Sequence, residues 1–402
     1  MKKKTQKWTK FRHRIARNLI YAAIYPYSRL KYGIKITKFS EQEDRPYLIL
    51  FNHQTAFDQF FVGMAFKGPI YYVASEDLFS NGLTSALIRW LVAPIPIKKQ
   101  ATDVTAVKNC IRVAREGGTI ALAPEGNRTY SGKTEYMNPA IVPLARKLGL
   151  PIVLYRIEGG FGVHPRWSDT LRKGKMKAYV GRVIYPEQYK SLADEELFSL
   201  IEEGLFINEG CKNGEFLSSK SAEYLERAIY VCPFCGLSRF HSEKDLIKCE
   251  NCGRKIRYND DKTLCGIGFD LPFAFLTEWY DYQKNFVSNL TIEDFDTPLY
   301  DEKADLYEVE LYKRKTLKKE GAAIRLFGNR MEIGEGEDLV CFPFKEVSAL
   351  SVLGKNKLNI YFDGAVFQVK GDKRFNALKY VNLCYKHKNE LKGEKNGKFL
   401  GL

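Results

Sequence analysis

Short apolar runs alternate with amphipathic segments through the first half of the chain. The runs that predict buried strands cover residues 47–51, 70–74, 95–98, 119–123, 151–157 and 177–184. Apolar residues recur at helical spacing over residues 83–92, 104–115, 140–148 and 192–206. Strands that alternate with helices in this way predict an α/β fold, in which helices flank a sheet.

The pattern changes to short, alternating strands after residue 300. The predicted strands cover residues 306–312, 323–327, 330–333, 339–342, 347–352, 357–362 and 365–370. The dipeptides Gly328-Asn329 and Asp363-Gly364 between them suit tight hairpin turns. This region is therefore predicted to be a small β-rich domain with antiparallel strands.

A final helix is predicted to begin at Asp372, with Phe375, Leu378 and Val381 on one side. In the order of its elements, the region 301–392 resembles the pleckstrin-homology-like or GRAM fold. Such a domain would serve equally well to bind lipid or to brace another part of the protein.

The first 38 residues are strongly basic and contain no acidic residue. Trp8, Phe11, Ile15 and Leu19 recur there at helical spacing, and lysines and arginines occupy the other faces. A basic amphipathic helix with aromatic residues is typical of segments that lie at the surface of an anionic membrane. A surface helix packed on the next domain would show the same stripe, but we favour membrane contact because the positive charge is uncompensated.

The first candidate for chemistry follows the strand predicted over residues 47–51. That strand ends at Asn52, and His53 and Asp58 follow. If the chain enters a helix after Asn52, the two side chains lie about one and a half turns apart and meet at its start. A carboxylate beside an imidazole fixes its tautomer and leaves the other ring nitrogen free to accept a proton. We predict a general base, His53, oriented by Asp58, although a surface histidine beside a helix-start aspartate would give the same pattern.

The second candidate follows the strand predicted over residues 119–123. Its turn contains Glu125, Gly126, Asn127 and Arg128. A glycine lets the backbone approach an anion, and an arginine offers a phosphate two parallel donors. Because strand ends in an open α/β sheet face one crevice, both candidates are predicted to belong to one site.

These two motifs, in this order, resemble those of the glycerolipid acyltransferases and especially of the lysophosphatidic acid acyltransferases. The resemblance covers residues 10–215. It implies that His53 is the base, that Asp58 orients it, and that the Glu125–Arg128 segment shapes the acceptor site. An arginine after an intermediate strand holds the acceptor phosphate in that family, and Lys98 or Lys99 stands in its place here. A lysine keeps the charge but loses the two-pronged geometry.

The resemblance further implies a membrane-associated O-acyltransferase. Its donor would be an acyl thioester of coenzyme A or of acyl carrier protein, and its acceptor a lysophospholipid such as lysophosphatidic acid, which would become phosphatidic acid. The transfer itself needs no cofactor. The alternatives are another lysolipid acceptor, a catalytically silent membrane scaffold, and a nucleic-acid-binding protein. We disfavour the last of these because the densest positive charge lies on the amphipathic segment.

Two Cys-x-x-Cys pairs, each followed by a glycine, occur in the second half of the chain. Their cysteines are Cys232, Cys235, Cys249 and Cys252. Four thiolates at this spacing are typical of a zinc ribbon, whose closed tetrahedral shell leaves no position for water. Disulfides are the alternative, but they are rare in reducing compartments. We therefore predict a structural zinc site.

The composition of the chain also indicates its location in the cell and the kind of partner that it binds. The hydrophobic fraction of 45% and the charged fraction of 28% are typical of a globular protein. No stretch reaches the roughly 20 apolar residues that span a bilayer, and the N-terminus lacks a secretory pattern. The net charge of +15 indicates an anionic partner. We expect peripheral attachment to the cytoplasmic face of a membrane.

Together, these predictions give the order of the domains along the chain. It is a membrane-contact segment (1–38), an acyltransferase-like domain (39–215), a zinc ribbon (228–258), a helical connector (259–300), a β-rich domain (301–392) and a basic tail (393–402).

Overall fold

The computed structural model describes residues 7–43, 45–97, 103–310 and 312–393. Lys98, Lys99 and nearly all of the basic tail lie outside the described residues. Within those ranges, no helix is both long enough and apolar enough to cross a bilayer.

The first half of the chain forms a seven-stranded sheet flanked by helices. The strands are β1 (Ile34–Ile36), β2 (Leu48–Phe51), β3 (Ile70–Ser75), β4 (Ile95–Ile97), β5 (Thr119–Leu122), β6 (Ile152–Glu158) and β7 (Met176–Ile184). The helices are α1 (Phe11–Tyr32), α2 (Asp58–Ala65), α3 (Leu83–Val92), α4 (Val104–Arg115), α5 (Ile141–Leu148), α6 (Gly160–Val163), α7 (Pro186–Tyr189) and α8 (Asp194–Leu205), with a 3-10 turn at Glu76–Phe79.

The strand order is β1-β7-β6-β2-β5-β3-β4. β6, β2, β5, β3 and β4 run parallel, whereas β7 pairs with β6 in the antiparallel direction. Alternate residues of β2 enter opposite cores: Ile49 faces the core that includes α2, and Leu50 faces the core that includes α4, α5 and α8. The predicted α/β class is therefore confirmed, and the ends of β2 and β5 are adjacent.

The sheet begins earlier than predicted. β1 pairs with β7, so residues 34–36 belong to the sheet and not to a separate N-terminal segment. Trp8, predicted to share a helical stripe with Phe11, Ile15 and Leu19, lies before α1, which begins at Phe11. Its indole Nε1 donates to the carbonyl of Ala93 at 2.9 Å, and its ring packs against the core.

The second half contains a small four-stranded sheet, a long helix and a larger antiparallel sheet. The elements up to the long helix are a 3-10 turn at Leu225–Arg227, β8 (Val231–Cys232), β9 (Gly236–Leu237), β10 (Phe240–Glu243), β11 (Leu246–Cys249), β12 (Lys255–Tyr258), β13 (Leu264–Gly266) and α9 (Leu276–Asn289). Those after it are β14 (Tyr300–Glu308), β15 (Thr316–Leu326), β16 (Arg330–Ile333), a 3-10 turn at Gly336–Asp338, β17 (Val340–Pro343), β18 (Ala349–Leu353), β19 (Lys357–Phe362), β20 (Ala365–Gly371) and α10 (Leu378–Leu391).

The larger sheet has the order β17-β16-β15-β14-β20-β19-β18, with antiparallel neighbours, and α10 packs against β18. We call the region from β14 to α10 the β domain. Asp363 and Gly364 form the predicted turn between β19 and β20, with φ of 48° and 70°. Its likeness to a pleckstrin-homology-like fold stays a prediction.

The first two strands and the final helix of the β domain differ in their bounds from those predicted. The first strand covers Tyr300–Glu308 instead of residues 306–312, and the second begins at Thr316 instead of residue 323. The final helix begins at Leu378 instead of Asp372, whose side chain accepts from the amide of Arg374 in a local turn. Asn376 Oδ1 accepts from the amide of Lys379, in the first turn of the helix, at 3.1 Å.

A third hydrophobic core contains residues from both halves of the chain. Tyr130, Phe161 and Trp167 from the first half pack in the same cluster as Trp279 of α9 and Leu350 of β18. The side chain of one buried arginine, Arg227, reinforces this junction. It donates to the carbonyl of Trp167 at 2.8 Å and to that of Lys373 at 2.6 Å, and it pairs with Asp169.

A buried polar cluster fixes the β domain to the other side of the sheet. Asp77, in the 3-10 turn after β3, accepts from Asn359 Nδ2 at 2.7 Å and from Gln368 Nε2 at 3.0 Å. Lys315 lies 3.5 Å from the same carboxylate. Because each amide of the cluster is satisfied by another member or by Asp77, this contact is specific in register as well as in position.

Candidate active site

A buried asparagine fixes the end of β2. Asn52 Nδ2 donates to the carbonyl of Ile157, and its Oδ1 accepts from the amide of Ile157, both at 2.8 Å. These two bonds replace the strand pairing that ends at Phe51 and tie the chain to β6. The next residue, His53, therefore leaves the sheet in a defined direction.

His53 Nδ1 lies 2.8 Å from Asp58 Oδ2, at the start of α2. The chain does not enter a helix directly after Asn52, as the sequence had suggested. It forms a turn in which the fully buried carboxylate of Asp58 accepts from the amides of Gln54 and Thr55 and from the Thr55 hydroxyl, at 2.7 to 3.0 Å. These bonds hold the carboxylate in place, so that it fixes the tautomer and orientation of the imidazole.

Burial lowers the pKa of His53, and the positive charges of Arg128 and Arg166 lower it further, whereas Asp58 opposes both effects. The imidazole is therefore neutral at neutral pH. With Nδ1 donating to Asp58, Nε2 carries the lone pair, and no side chain in the described part of the protein hydrogen-bonds to it. This is the protonation state that a general base requires.

Glu125 joins the two strand ends directly. Its Oε1 accepts from the backbone amide of His53 at 2.9 Å, and the residue is buried. Burial, with smaller contributions from the charges of Asp58 and Glu135, raises the pKa of Glu125 to about 8. Its carboxyl is thus largely protonated at neutral pH. Its bond to the amide of His53 fixes the backbone at that residue.

Arg128 lies in the same crevice and forms no ion pair with a carboxylate of the described residues. Its Nη1 is buried without a hydrogen-bond partner in the described structure. Burial and then the charge of Arg166 lower the pKa of Arg128 to about 10, so the guanidinium still carries its charge at neutral pH. Asn127 is buried beside it, and Gly126 turns the backbone with φ of 70°.

These residues border a cavity of about 1710 Å³. It is larger than the roughly 300–1,000 Å³ of a typical small-molecule site and is lined mainly by apolar side chains. His53, Glu125 and Arg128 lie on its polar side. Its apolar walls come from α1, α3, α4 and, beyond the acyltransferase-like region, β18.

The structure thus brings His53, Asp58, Glu125, Asn127 and Arg128 together, as the two motifs had suggested. Their roles stay predictions, as does phosphate binding by the lysine pair after β4, which lies outside the described residues. Arg166, which was not among the predicted site residues, also lines the cavity. It lies in the Gly-rich, aromatic loop over residues 159–167, which the sequence suggests is near the site, but no motif singles out this arginine.

The four predicted zinc ligands also converge. The sulfurs of Cys232, Cys235, Cys249 and Cys252 lie within 4.8 Å of one another, with separations of 3.8 Å and 3.6 Å for Cys232–Cys252 and Cys235–Cys249. A regular tetrahedron of sulfurs about 2.3 Å from zinc has edges of about 3.8 Å. The cysteines are reduced, and the cluster can hold a metal ion.

Comparison with known proteins relates part of the first half of the chain to a known family. Residues 34–157 match the family model described as Acyltransferase. A chloroplastic 1-acyl-sn-glycerol-3-phosphate acyltransferase of Brassica napus is 24% identical over 195 residues, which are 46% of this chain and 54% of the relative. The 1-acyl-sn-glycerol-3-phosphate acyltransferase of Bacillus subtilis is 22% identical over 178 residues, which are 44% of this chain and 86% of the relative.

The crystal structure of the 1-acyl-sn-glycerophosphate (LPA) acyltransferase PlsC from Thermotoga maritima aligns with 47% of this chain and 78% of that chain. The TM-score is 0.40 and the identity 22%. The chain spans about half the length of the chloroplastic relatives, 54% in each case. The matched segment contains the His53–Asp58 pair and the Glu125–Arg128 turn. Residues 34–157 of this protein therefore form a domain of the acyltransferase family.

Proposed function

We propose that this protein is a membrane-associated O-acyltransferase that transfers an acyl group from a thioester to the free hydroxyl of a lysophospholipid. The observation that carries the proposal is the pairing of His53 Nδ1 with the buried Asp58 carboxylate at 2.8 Å, beside a large apolar cavity. The curated relatives act as 1-acyl-sn-glycerol-3-phosphate acyltransferases, which makes lysophosphatidic acid the proposed acceptor and phosphatidic acid the product.

The reaction follows from the protonation states. Nε2 of His53 takes the proton of the acceptor hydroxyl while the hydroxyl oxygen attacks the thioester carbonyl. The tetrahedral intermediate then collapses, the carbon–sulfur bond breaks, and the imidazolium returns the proton to the departing thiolate. Asp58 stabilises the imidazolium between these two steps. The thiol released would be coenzyme A or acyl carrier protein.

Arg128 is the proposed phosphate contact on the acceptor. A guanidinium that is buried without an anionic partner gains a bidentate partner when a phosphate monoester arrives. Lys98 and Lys99 are proposed to contribute further charge. An acceptor with another head group is the second candidate, since a lysine in place of the family's arginine relaxes the geometry of that contact.

Membrane contact is proposed for an apolar patch on α1 and α3, at the cytoplasmic face. Phe11 and Leu19 of α1 are 76% and 69% exposed, and Leu83 of α3 is 90% exposed, with Leu87 and Trp90 beside it. The two helices pack together, so their exposed side chains form one surface. Apolar side chains next to a basic segment would insert at the surface of an anionic bilayer.

The cysteine cluster is proposed to hold structural zinc. The metal would cross-link β8 and the turns of the small sheet, which lie in the core shared by both halves. Its four thiolate ligands leave no position for a substrate.

The replacement His53→Ala should lower turnover by about 10²- to 10⁴-fold and leave acceptor affinity nearly unchanged, because His53 acts on the proton. Arg128→Ala should instead raise the KM for lysophosphatidic acid. Steady-state kinetics with acyl-coenzyme A and varied acceptor measure both effects. His241→Ala, an exposed histidine of the small sheet, is the matched control. Near-normal turnover by His53→Ala would remove the base assignment and with it the proposed function.

The pH dependence of stability should report Glu125. Its pKa is 4.5 in the ordinary state and about 8 in the folded protein. Between these values the unfolded chain binds fewer protons than the folded one, so stability falls as pH rises, by about 1.4 kcal/mol per unit from this group in mid-window. Denaturation with urea at pH 5 to 9 should show that Glu125→Gln, which still accepts from His53, lacks this part of the slope. Identical slopes in the two proteins would show that the buried carboxyl is already ionised.

The double replacement Phe11→Glu with Leu83→Glu should weaken binding to anionic phospholipid vesicles at least about 10-fold, since burying either side chain contributes about 1.5–3 kcal/mol. Co-sedimentation measures it. The control replaces Leu317 and Leu339 by glutamate, two exposed leucines of the β domain. Equal loss in both double variants, or none in the first, would place the membrane contact elsewhere.

Elemental analysis of the purified protein should find one zinc ion per chain, and Cys249→Ser should release it and lower the unfolding temperature. The reason is that structural zinc contributes about 10–16 kcal/mol of apparent binding free energy in small domains. Cys265→Ser, an exposed cysteine outside the cluster, should keep both metal and stability. Metal-free wild-type protein of unchanged stability would contradict the assignment.

A further inference from the structure

One buried side chain connects the candidate active site to the β domain. Arg166 Nη1 donates to the carbonyl of Arg128 at 2.7 Å. Its Nε donates to the carbonyl of Gly354 at 2.8 Å and its Nη2 to that of Val352 at 2.9 Å. The guanidinium carbon lies 4.3 Å from the ring centroid of Tyr130. Arg166 is therefore held on one side by the β domain and holds, on the other, the backbone of the proposed phosphate contact.

The β domain also forms part of the wall of the cavity. Leu350, Leu353 and Gly354, in β18 and the turn after it, line the cavity together with His53 and Arg128. The same turn is anchored a second time, because the Tyr130 hydroxyl donates to the carbonyl of Lys355 at 2.8 Å. The acyltransferase-family segment, residues 34–157, thus encloses only part of the cavity.

The charges at this junction are unbalanced. Neither Arg128 nor Arg166 has a carboxylate within ion-pair distance among the described residues, although Arg166 is 1% exposed. Arg166 lies close enough to Arg128 and His53 to lower the pKa of each. A buried charge without a counter-charge is costly, so two of them beside one cavity indicate that an anion binds there.

Two neighbouring buried arginines are stabilised in other ways. Arg227 is equally buried and also lies over a tyrosine, Tyr224, but it is neutralised by Asp169. Arg172 forms no ion pair within the described ranges either, but it lies between the rings of Trp167 and Tyr258 and does not line the cavity. Only the Arg128–Arg166 pair combines uncompensated charge with access to the cavity among these four buried or half-buried arginines.

We propose that Arg166 is a positioning residue for the acceptor phosphate: it fixes Arg128 from behind, adds positive potential to the same site, and makes that site complete only with the β domain docked. The ligand is a phosphate monoester carried by the acyl acceptor. The inference rests on the proposed function, which it deepens by assigning part of the acceptor site to a domain outside the acyltransferase-family segment.

The test measures binding without turnover, in the full-length chain. Isothermal titration calorimetry is performed with 1-hexanoylglycerol 3-phosphate, a soluble acceptor, and with monohexanoylglycerol, which lacks the phosphate. Arg166→Gln should weaken binding of the phosphate compound at least about 10-fold, because it removes one positive charge and the bond that fixes the backbone of Arg128, whose own bonds to the phosphate are charge-assisted. It should leave binding of the phosphate-free compound unchanged. Arg166→Lys keeps the charge but cannot reach three carbonyls, so its loss should be intermediate.

Arg227→Gln is the matched control, because it removes an equally buried arginine from the same junction without touching Arg128. It should lower the unfolding temperature yet keep phosphate affinity. Unchanged affinity in Arg166→Gln, or equal loss in Arg227→Gln, would overturn the inference. If Arg166→Gln does not fold, the same comparison is made with Arg166→Lys, and its outcome decides.

Turnover separates this inference from the proposed function. Wild-type protein that binds the phosphate compound through Arg166 but transfers no acyl group would remove the proposed function and leave the anion site. Wild-type protein that transfers acyl groups to lysophosphatidic acid, with Arg166→Gln showing the same acceptor KM, would remove the inference alone. A wild-type protein that binds neither compound would overturn the anion site itself.

Discussion

The pairing of β2 with a neighbour on each side is the constraint on which the site depends. β2 is hydrogen-bonded to β5 and β6, and both of its faces are buried. Such a strand cannot slide or rotate without breaking two ladders and two cores. The bonds of Asn52 to Ile157 fix the start of the loop after β2. The turn around Asp58 then fixes the position of the His53 side chain. His53 is thereby placed by the centre of the sheet, and Glu125 connects it to the end of β5.

The sequence predicted most of this arrangement because its elements are short, apolar and locally specified. The strands over residues 70–75 and 357–362 and the helix over residues 104–115 all follow from periodicity and turn chemistry. The sequence predicted that His53 and Asp58 meet, but it assumed a helix after Asn52. In the structure the two side chains meet through a turn of side-chain-to-backbone bonds, and hydrophobic periodicity does not predict such a turn.

What could not be predicted depends on contacts between distant segments. β1 is only three residues long and exists because β7 offers it an edge. Arg166 contacts the β domain because its loop lies beside the turn after β18, although the two segments are nearly two hundred residues apart in the sequence. No element is predicted between α8 and the zinc ribbon, yet Phe216 in this linker packs directly over Gly162 and Gly174. A side chain at either glycine would clash with the Phe216 ring. Trp167 likewise belongs to a core supplied mostly by the second half, a contact between distant segments that no local pattern indicates.

The position of the cavity relative to the apolar patch has a thermodynamic consequence. Ile20 and Ile24 of α1 and Leu91 of α3 line the cavity, and the exposed side of the same two helices forms the patch. If the patch lies in a bilayer, a lipid that enters the cavity beside these helices keeps its chain in apolar surroundings. Moving that chain through water would cost about 0.8 kcal/mol for each methylene group. The barrier to exchange would then be set by the head group alone, and a two-chain product could return to the bilayer as readily as a one-chain substrate arrives.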